Sequence, residues 1–194
     1  MTTRAFVTIS VCGTILLGGA TQAAAQDQVG YKLLATNKTS TMEKEMNAAA
    51  DGGFRFAGVM GGDTAIGGKE VVTIMARAGE AMNGRFQYKL LATSKTSTMQ
   101  KELQQAGDAG FEYKGQTVFG SAFGGDEVVA ILERDGEARP ALYEYRLLAT
   151  KKTSTMEKEL GEVGQSGFQF VGLTVSKTMI GGSEVVVITR REKR

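Results

Sequence analysis

The octapeptide KTSTMEKE occupies residues 38–45, returns as KTSTMQKE at 95–102, and stands again as KTSTMEKE at 152–159, so each copy lies 57 residues after the last. Self-similarity at a fixed period of this length marks a chain built from repeated supersecondary units, and it constrains the fold before any local motif does. At that spacing the chain matches itself without an insertion. Tyr31, Tyr88 and Tyr145 open the copies; Arg77, Arg134 and Arg191 close them. Identity is dense in LLAT-KTSTM and GG-EVV and sparse in NAAADG, QQAGDA and GEVGQS, the back of each expected helix.

Each copy reads strand, helix, strand, strand. In the first strand, YKLLAT or YRLLAT, an apolar period-two set such as Phe86, Tyr88, Leu90 and Ala92 alternates with Gln87 and Lys89. The octapeptide then turns the chain into a helix. Ser40, Ser97 and Ser154 are followed three residues later by Glu43, Gln100 and Glu157. That spacing predicts a capping box, in which the hydroxyl accepts from an amide of the first turn and the Glu or Gln reaches back. Met42, Met46, Ala49 and Ala50 make one apolar helical stripe, with Leu103 and Leu160 standing in for Met46 in the other copies. Gly53, Gly110 and Gly167 fall just past the helix, where a left-handed residue is least strained as glycine.

The second strand is FRFAG, FEYKG or FQFVG, with Phe54 and Phe56, Phe111 and Tyr113, or Phe168 and Phe170 turned to the core. A loose stretch is expected next, ending at Gly67-Gly68, Gly124-Gly125 and Gly181-Gly182. The third strand, EVVTIMAR, EVVAILER or EVVVITRR, is apolar on both faces and belongs in the middle of its sheet. The expected fold is α+β: three tandem β-α-β-β repeats, each a three-stranded, mainly antiparallel sheet with one helix. Units this small bury too little surface to hold alone. They are therefore expected to pack together, with a pseudo-threefold axis as one arrangement the linkers AGEAMNGRF and DGEARPALYE allow. The boundaries read 26–82, 83–140 and 141–194.

Residues 1–25 read as a signal peptide. Arg4 precedes an apolar run from Ala5 to Ala20, and Ala23 and Ala25 place small residues before a cut at Gln26. The run is shorter than the roughly 20 residues that span a bilayer. The expected location is periplasmic or secreted. Cleavage would remove Cys12, the single cysteine, and lower the formal charge from +2 to +1, since Arg4 is the one charged residue before Gln26. A balance that near neutral argues against a nucleic-acid surface. With His absent, and Cys absent after cleavage, thiolate nucleophiles, Ser-His-Asp triads, imidazole metal sites and disulfides are excluded. The sequence calls for no cofactor.

YEYRLL, EKELGEVGQSGFQFVGL and SEVVVITRRE together resemble a small bacterial domain family of unknown function. Its members read Tyr-x-Tyr-Lys-Val, a short helix, Gly-Trp-Glu-Leu-Val, and a Val-rich last strand. The match covers residues 29–78, 86–135 and 143–192, with Phe54, Phe111 and Phe168 where that family has Trp. The resemblance implies the strand-helix-strand-strand fold and no activity. A weaker similarity is to small periplasmic stress-protein domains.

Three groups of residues are candidates for a site. Lys38 with Ser40, Lys95 with Ser97 and Lys152 with Ser154 set a cation and hydroxyls at helix N-termini, where an anion is favoured. Glu70, Glu127 and Glu184, with Glu45, Glu102 and Glu159, are the carboxylates a hydrolase or a calcium site would need. Met42 and Met46 suggest Cu(I) but fit core packing better, since Leu103 and Leu160 break the pair. The leading reading is a non-enzymatic binding or structural module of the cell envelope, whose partner is an envelope protein or polymer. The alternatives are an anion or glycan binder at the KTST corners and a carboxylate hydrolase.

Overall fold

The computed structural model describes residues 30–64, 68–77, 82–120, 126–139, 141–177 and 183–193. The expected signal peptide and Pro140 lie outside these residues. Three units follow one another: β1 (Tyr31–Thr36), α1 (Thr39–Asp51), β2 (Phe54–Thr64) and β3 (Gly68–Arg77); β4 (Phe86–Thr93), α2 (Thr96–Asp108), β5 (Glu112–Gly120) and β6 (Asp126–Asp135); β7 (Tyr143–Thr150), α3 (Thr153–Gln165), β8 (Gln169–Lys177) and β9 (Ser183–Glu192). The sheet orders are β1-β3-β2, β4-β6-β5 and β7-β9-β8, with every pairing antiparallel. The Val-rich third strand of each unit is central, as its two apolar faces require.

Each helix buries the stripe seen in the sequence: Met42, Met46, Ala49 and Ala50 in α1, and Met99, Leu103, Ala106 and Gly107 in α2. Gly53, Gly110 and Gly167 follow the helices at φ of 78°, 82° and 82°, the left-handed values a side chain would resist. The first part of the stretch expected to be loose is instead paired, so the second strand runs on to Thr64, Gly120 or Lys177; residues 65–67, 121–125 and 178–182 lie outside the described residues. Each of these strands carries a bulge, between Phe56 and Gly58, Tyr113 and Gly115, or Phe170 and Gly172. The extra residues pair antiparallel with the third strand of the same unit.

The units do not surround a pseudo-threefold axis. Every substantial contact between units joins unit 1 to unit 2 or unit 2 to unit 3, giving a linear stack. Its layers alternate sheet and helix. The first core holds Val71 and Met75 of sheet 1, the stripe of α1, and Phe86, Tyr88, Val129 and Ile131 of sheet 2. The second holds Leu91, Ala130 and Leu132 from the other face of sheet 2, the stripe of α2, and Tyr145 and Ile188 of sheet 3. The third lies between Leu148 and Val187 of sheet 3 and Met156 and Val163 of α3. Thus α1 and α2 each serve two sheets, and β6 and β9 are apolar on both faces because a helix lies against each; the outer face of β3 meets no helix among the described residues. A buried apolar side chain contributes about 1.5–3 kcal/mol, so much of the cohesion of one unit comes from its neighbour. Met42 and Met46 are fully buried in this packing.

Candidate interaction sites: the corners and the seams

The octapeptide forms the strand-to-helix corner, but not by the expected capping box. The N-cap residues are Lys38, Lys95 and Lys152, each with extended backbone and no side-chain cap. Ser40, Ser97 and Ser154 stand one position inside the first turn, exposed. The preceding threonines tie the corner: Thr36, Thr93 and Thr150 Oγ1 accept from the amides of Lys38, Lys95 and Lys152 at 3.2, 3.1 and 3.2 Å. Because the helix starts two residues earlier than a cap at Ser40 requires, Glu43 and Gln100 are two residues too deep to reach back.

They reach forward instead. β4 and β7 are edge strands, so half their backbone groups face outward without a ladder partner. Glu43 Oε2 accepts from the Leu90 amide at 2.8 Å, and Asn47 accepts from the Tyr88 amide and donates to the Tyr88 carbonyl, both at 2.9 Å. The same bracket recurs one unit on. Gln100 accepts from the Leu147 amide at 2.7 Å and donates to the Tyr145 carbonyl at 2.9 Å; Gln104 accepts from the Tyr145 amide at 3.0 Å and donates to the Tyr143 carbonyl at 3.2 Å. The variable Glu or Gln of the octapeptide is therefore an inter-repeat tie.

Two further devices recur in both seams. The Tyr88 hydroxyl accepts from the Phe56 amide at 2.8 Å, and the Tyr145 hydroxyl accepts from the Tyr113 amide at 2.6 Å. The side chains of Phe56 and Tyr113 sit over bulge glycines of the next unit. A Cβ on Gly115 would lie 3.2 Å from Phe56 Cζ, and one on Gly172 would strike the Tyr113 hydroxyl and ring. Burial raises the phenol pKa of Tyr88, Tyr113 and Tyr145, that of Tyr145 to about 12. These hydroxyls stay protonated, and those of Tyr88 and Tyr145 donate to Glu133 and to the Phe111 carbonyl.

The charges reverse between seams. In the first, Arg55 Nη2 of unit 1 meets Glu133 Oε1 of unit 2 at 2.7 Å, with the Tyr88 hydroxyl donating to Glu133 at 2.8 Å. In the second, Glu112 Oε1 of unit 2 meets Arg190 Nη1 of unit 3 at 2.7 Å. Lys114 Nζ joins the two, 2.8 Å from Glu112 and 3.6 Å from Glu133. Each arginine also lies over the ring that opens the receiving strand, Arg55 at 4.4 Å from Phe86 and Arg190 at 4.8 Å from Tyr143. The polarity makes the order of units specific. Unit 1 docked directly on unit 3 would set Arg55 against Arg190, and like charges reject that pairing.

This network lines an open cleft of about 610 Å³ that includes Asp108, Glu112, Glu133, Asp135 and Tyr143. Its carboxylates are paired. Burial opposes ionisation of Glu112, but hydrogen bonds and charge from Lys114 and Arg190 outweigh it and hold the pKa below the usual value. Arg85 does the same for Asp135 and Lys193 for Asp108, each chiefly through a direct hydrogen bond. A general acid needs its pKa raised; those of Glu112, Asp135 and Asp108 are lowered.

The six candidate residues Lys38, Ser40, Lys95, Ser97, Lys152 and Ser154 are all exposed, and no hydrogen bond or ion pair among the described residues joins one corner to another. Ser40 and Glu102 do line one shallow cleft with Lys89. Among the described residues no group of three acidic side chains could hold a metal, so Glu70, Glu127 and Glu184 do not converge. Sequence reasoning missed Arg55, Glu133, Glu112 and Arg190. Their signal was there: the copies differ at two positions of the repeat, Arg55, Glu112 and Gln169 at one and Ala76, Glu133 and Arg190 at the other, with Arg55 opposite in charge to Glu133 and Glu112 to Arg190.

Fold and seams define a tandem-repeat layered stack. No family model matches the chain, and neither does any curated protein or solved structure. No helix among the described residues is long and apolar enough to cross a membrane.

Proposed function

We propose that the chain is an exported, non-enzymatic repeat protein that serves as a structural or binding module of the cell envelope. The observation that carries this reading is the contrast between the seams and the two ends of the stack. Along the seams, side-chain hydrogen bonds and ion pairs hold one unit to the next. At the ends, large apolar side chains stay exposed: Tyr31, Leu33 and Ile74 on sheet 1, and Phe170, Leu173 and Val175 on β8. Clustered exposure of this kind marks surfaces that meet a partner. The export half of the reading rests on residues 1–25.

The test is fractionation of cells producing the full chain, with the N-terminus of the recovered protein sequenced, followed by cross-linking in intact cells. The expected outcome is a chain beginning at Gln26, outside the cytoplasm, joined to an envelope component. A chain retained in the cytoplasm with residues 1–25 intact overturns the reading.

One observation favours a second reading, an anion or glycan binder. All three helices begin without a side-chain cap, so their first-turn amides keep the character that attracts anions. Replacing Lys38, Lys95 and Lys152 together by alanine should abolish retention on a sulfated-glycan column; unchanged retention, or none in the parent chain, ends this reading.

A further inference from the structure

We propose that the partner of the end faces is a second copy of this chain, docked head to tail so that unit 3 of one copy covers unit 1 of the next. The inference rests on the binding reading above and names its partner.

The argument is continuity with the two seams already formed. In those seams the receiving face consists of Tyr88, Leu90, Val129 and Ile131, or Tyr145, Leu147, Val186 and Ile188. Unit 1 carries the same four residue types, Tyr31, Leu33, Val72 and Ile74. Tyr88 and Tyr145 are 3% and 2% exposed, whereas Tyr31 is 69% exposed; Ile131 and Ile188 are 0% and 1% exposed, whereas Ile74 is 43%. Unit 1 thus presents a complete receiving face that nothing covers among the described residues.

The giving face is equally complete at the other end. Phe56 and Tyr113 fill the space above Gly115 and Gly172, and their counterpart Phe170 is 59% exposed. The counterpart of the receiving glycines is Gly58, and a Cβ there would meet nothing within 4 Å. Knob and socket are therefore both present and both empty, at opposite ends. On α3, Gly164 likewise faces open space where Gly107 of α2 touches the next unit. Docking would seat Phe170 over Gly58 and bring the Phe170 amide to the Tyr31 hydroxyl.

Stacked-repeat proteins that remain monomeric close their ends with polar capping units; these two ends are apolar. The polar ties, by contrast, are thinned at the end faces, where Glu157 alone keeps the place of a bracketing residue, that of Glu43 and Gln100. Gly161 replaces the bracketing Asn47 and Gln104, while Gln169 and Ala76 replace the ion pairs. The end seam would therefore keep the apolar contact and lose the second bracket and the ion pair, which makes it weaker than the internal seams and dependent on concentration. An interface between unlike faces propagates unless its rotation closes a ring.

Sedimentation of the full chain over a wide concentration range tests this, with circular dichroism to confirm folding. The mass should rise with concentration beyond twice that of the chain. Leu33→Glu spoils only the receiving face and Phe170→Glu only the giving face. Each variant alone should stay monomeric, and an equimolar mixture should form a dimer and stop there. A parent chain that remains monomeric throughout overturns the proposal, as does a mixture that stays monomeric while both variants are folded. If the chain is monomeric yet cross-links to an envelope component through Leu33 or Phe170, self-docking fails and the binding reading survives.

Discussion

Replacing Gly107 by alanine asks how closely the second seam is closed. Gly107 lies on the buried stripe of α2, and a Cβ there would sit 2.5 Å from the Tyr143 carbonyl oxygen and 2.9 Å from two carbons of the Tyr145 ring. The oxygen is backbone, in a strand that Gln104 and Gln100 also hold, so it cannot yield without moving β7 off α2. Overpacking of this kind costs about 1–3 kcal/mol, and an oxygen well inside contact distance places the cost near the upper end. Alanine is favoured over glycine in a helix by about 1 kcal/mol, which leaves a net loss of about 2 kcal/mol. Gly164 is the same helical position in α3, and a Cβ there meets nothing within 4 Å. Gly164→Ala should therefore stabilise by about 1 kcal/mol. Urea unfolding of both variants measures the contrast, about 3 kcal/mol between substitutions identical in sequence terms. If the two shift stability equally, the stacked geometry of α2 on β7 is wrong.

Asn47→Ala should cost about 1–3 kcal/mol in the same unfolding assay, since it strips both outward backbone groups of Tyr88 of their partner; Gly161→Asn should change nothing until copies associate. Gln116 has a side-chain amide with no hydrogen-bond partner inside the second seam, where its counterparts are Val59 and Leu173. Gln116→Leu should raise stability by about 1–2 kcal/mol, and a destabilised variant would show that the amide is held. Glu112 has its folded pKa held below its unfolded value, so its contribution is complete above the ordinary glutamate range and disappears as pH falls through the folded value. Stability should decline below about pH 4, and the decline should be shallower in Glu112→Gln. Tyr145 has the opposite sense: its contribution is present below the ordinary phenol range and is lost as pH rises towards about 12.

The topology was legible because it depends on patterns within one unit. Alternation in FQYK of unit 2, the stripe from Met42 to Ala50, and the left-handed Gly53 are local facts, and each folded as read, whereas the same alternation in unit 1 leaves Tyr31 and Leu33 exposed. What misled was partnership. Ser40 and Glu43 have the spacing of a capping box, but Glu43 finds the unpaired amide of Leu90 in the next unit, a group no local pattern exposes. The bulge at Gly58, Gly115 and Gly172 was announced by a glycine inside each strand; its use, to admit a ring from the preceding unit, needed coordinates. The ion pairs hid for a related reason. Positions that differ among copies look unimportant when the search is for repetition, yet Arg55 with Glu133 and Glu112 with Arg190 differ because they carry the order of the units.

A repeated octapeptide is then best understood from the position of the helix it starts. One helix face must satisfy its own sheet while the flank presents Glu43 or Gln100, and Asn47 or Gln104, to the edge of the next. Two sheets constrain one helix, so few substitutions keep both contacts, and the residues that set where the helix begins are held alike in all three units. The third unit is informative because α3 has a sheet on one side only among the described residues. There the bracketing position is Gly161 and the close-contact position Gly164, both exposed. Where the second sheet is missing, Gly161 has lost the bracketing side chain of Asn47 and Gln104 although Glu157 keeps that of Glu43, whereas the apolar faces at both ends retain the residue types of the interior. Polar groups at the ends have relaxed and apolar ones have not, and that asymmetry is what a reversible contact between copies requires.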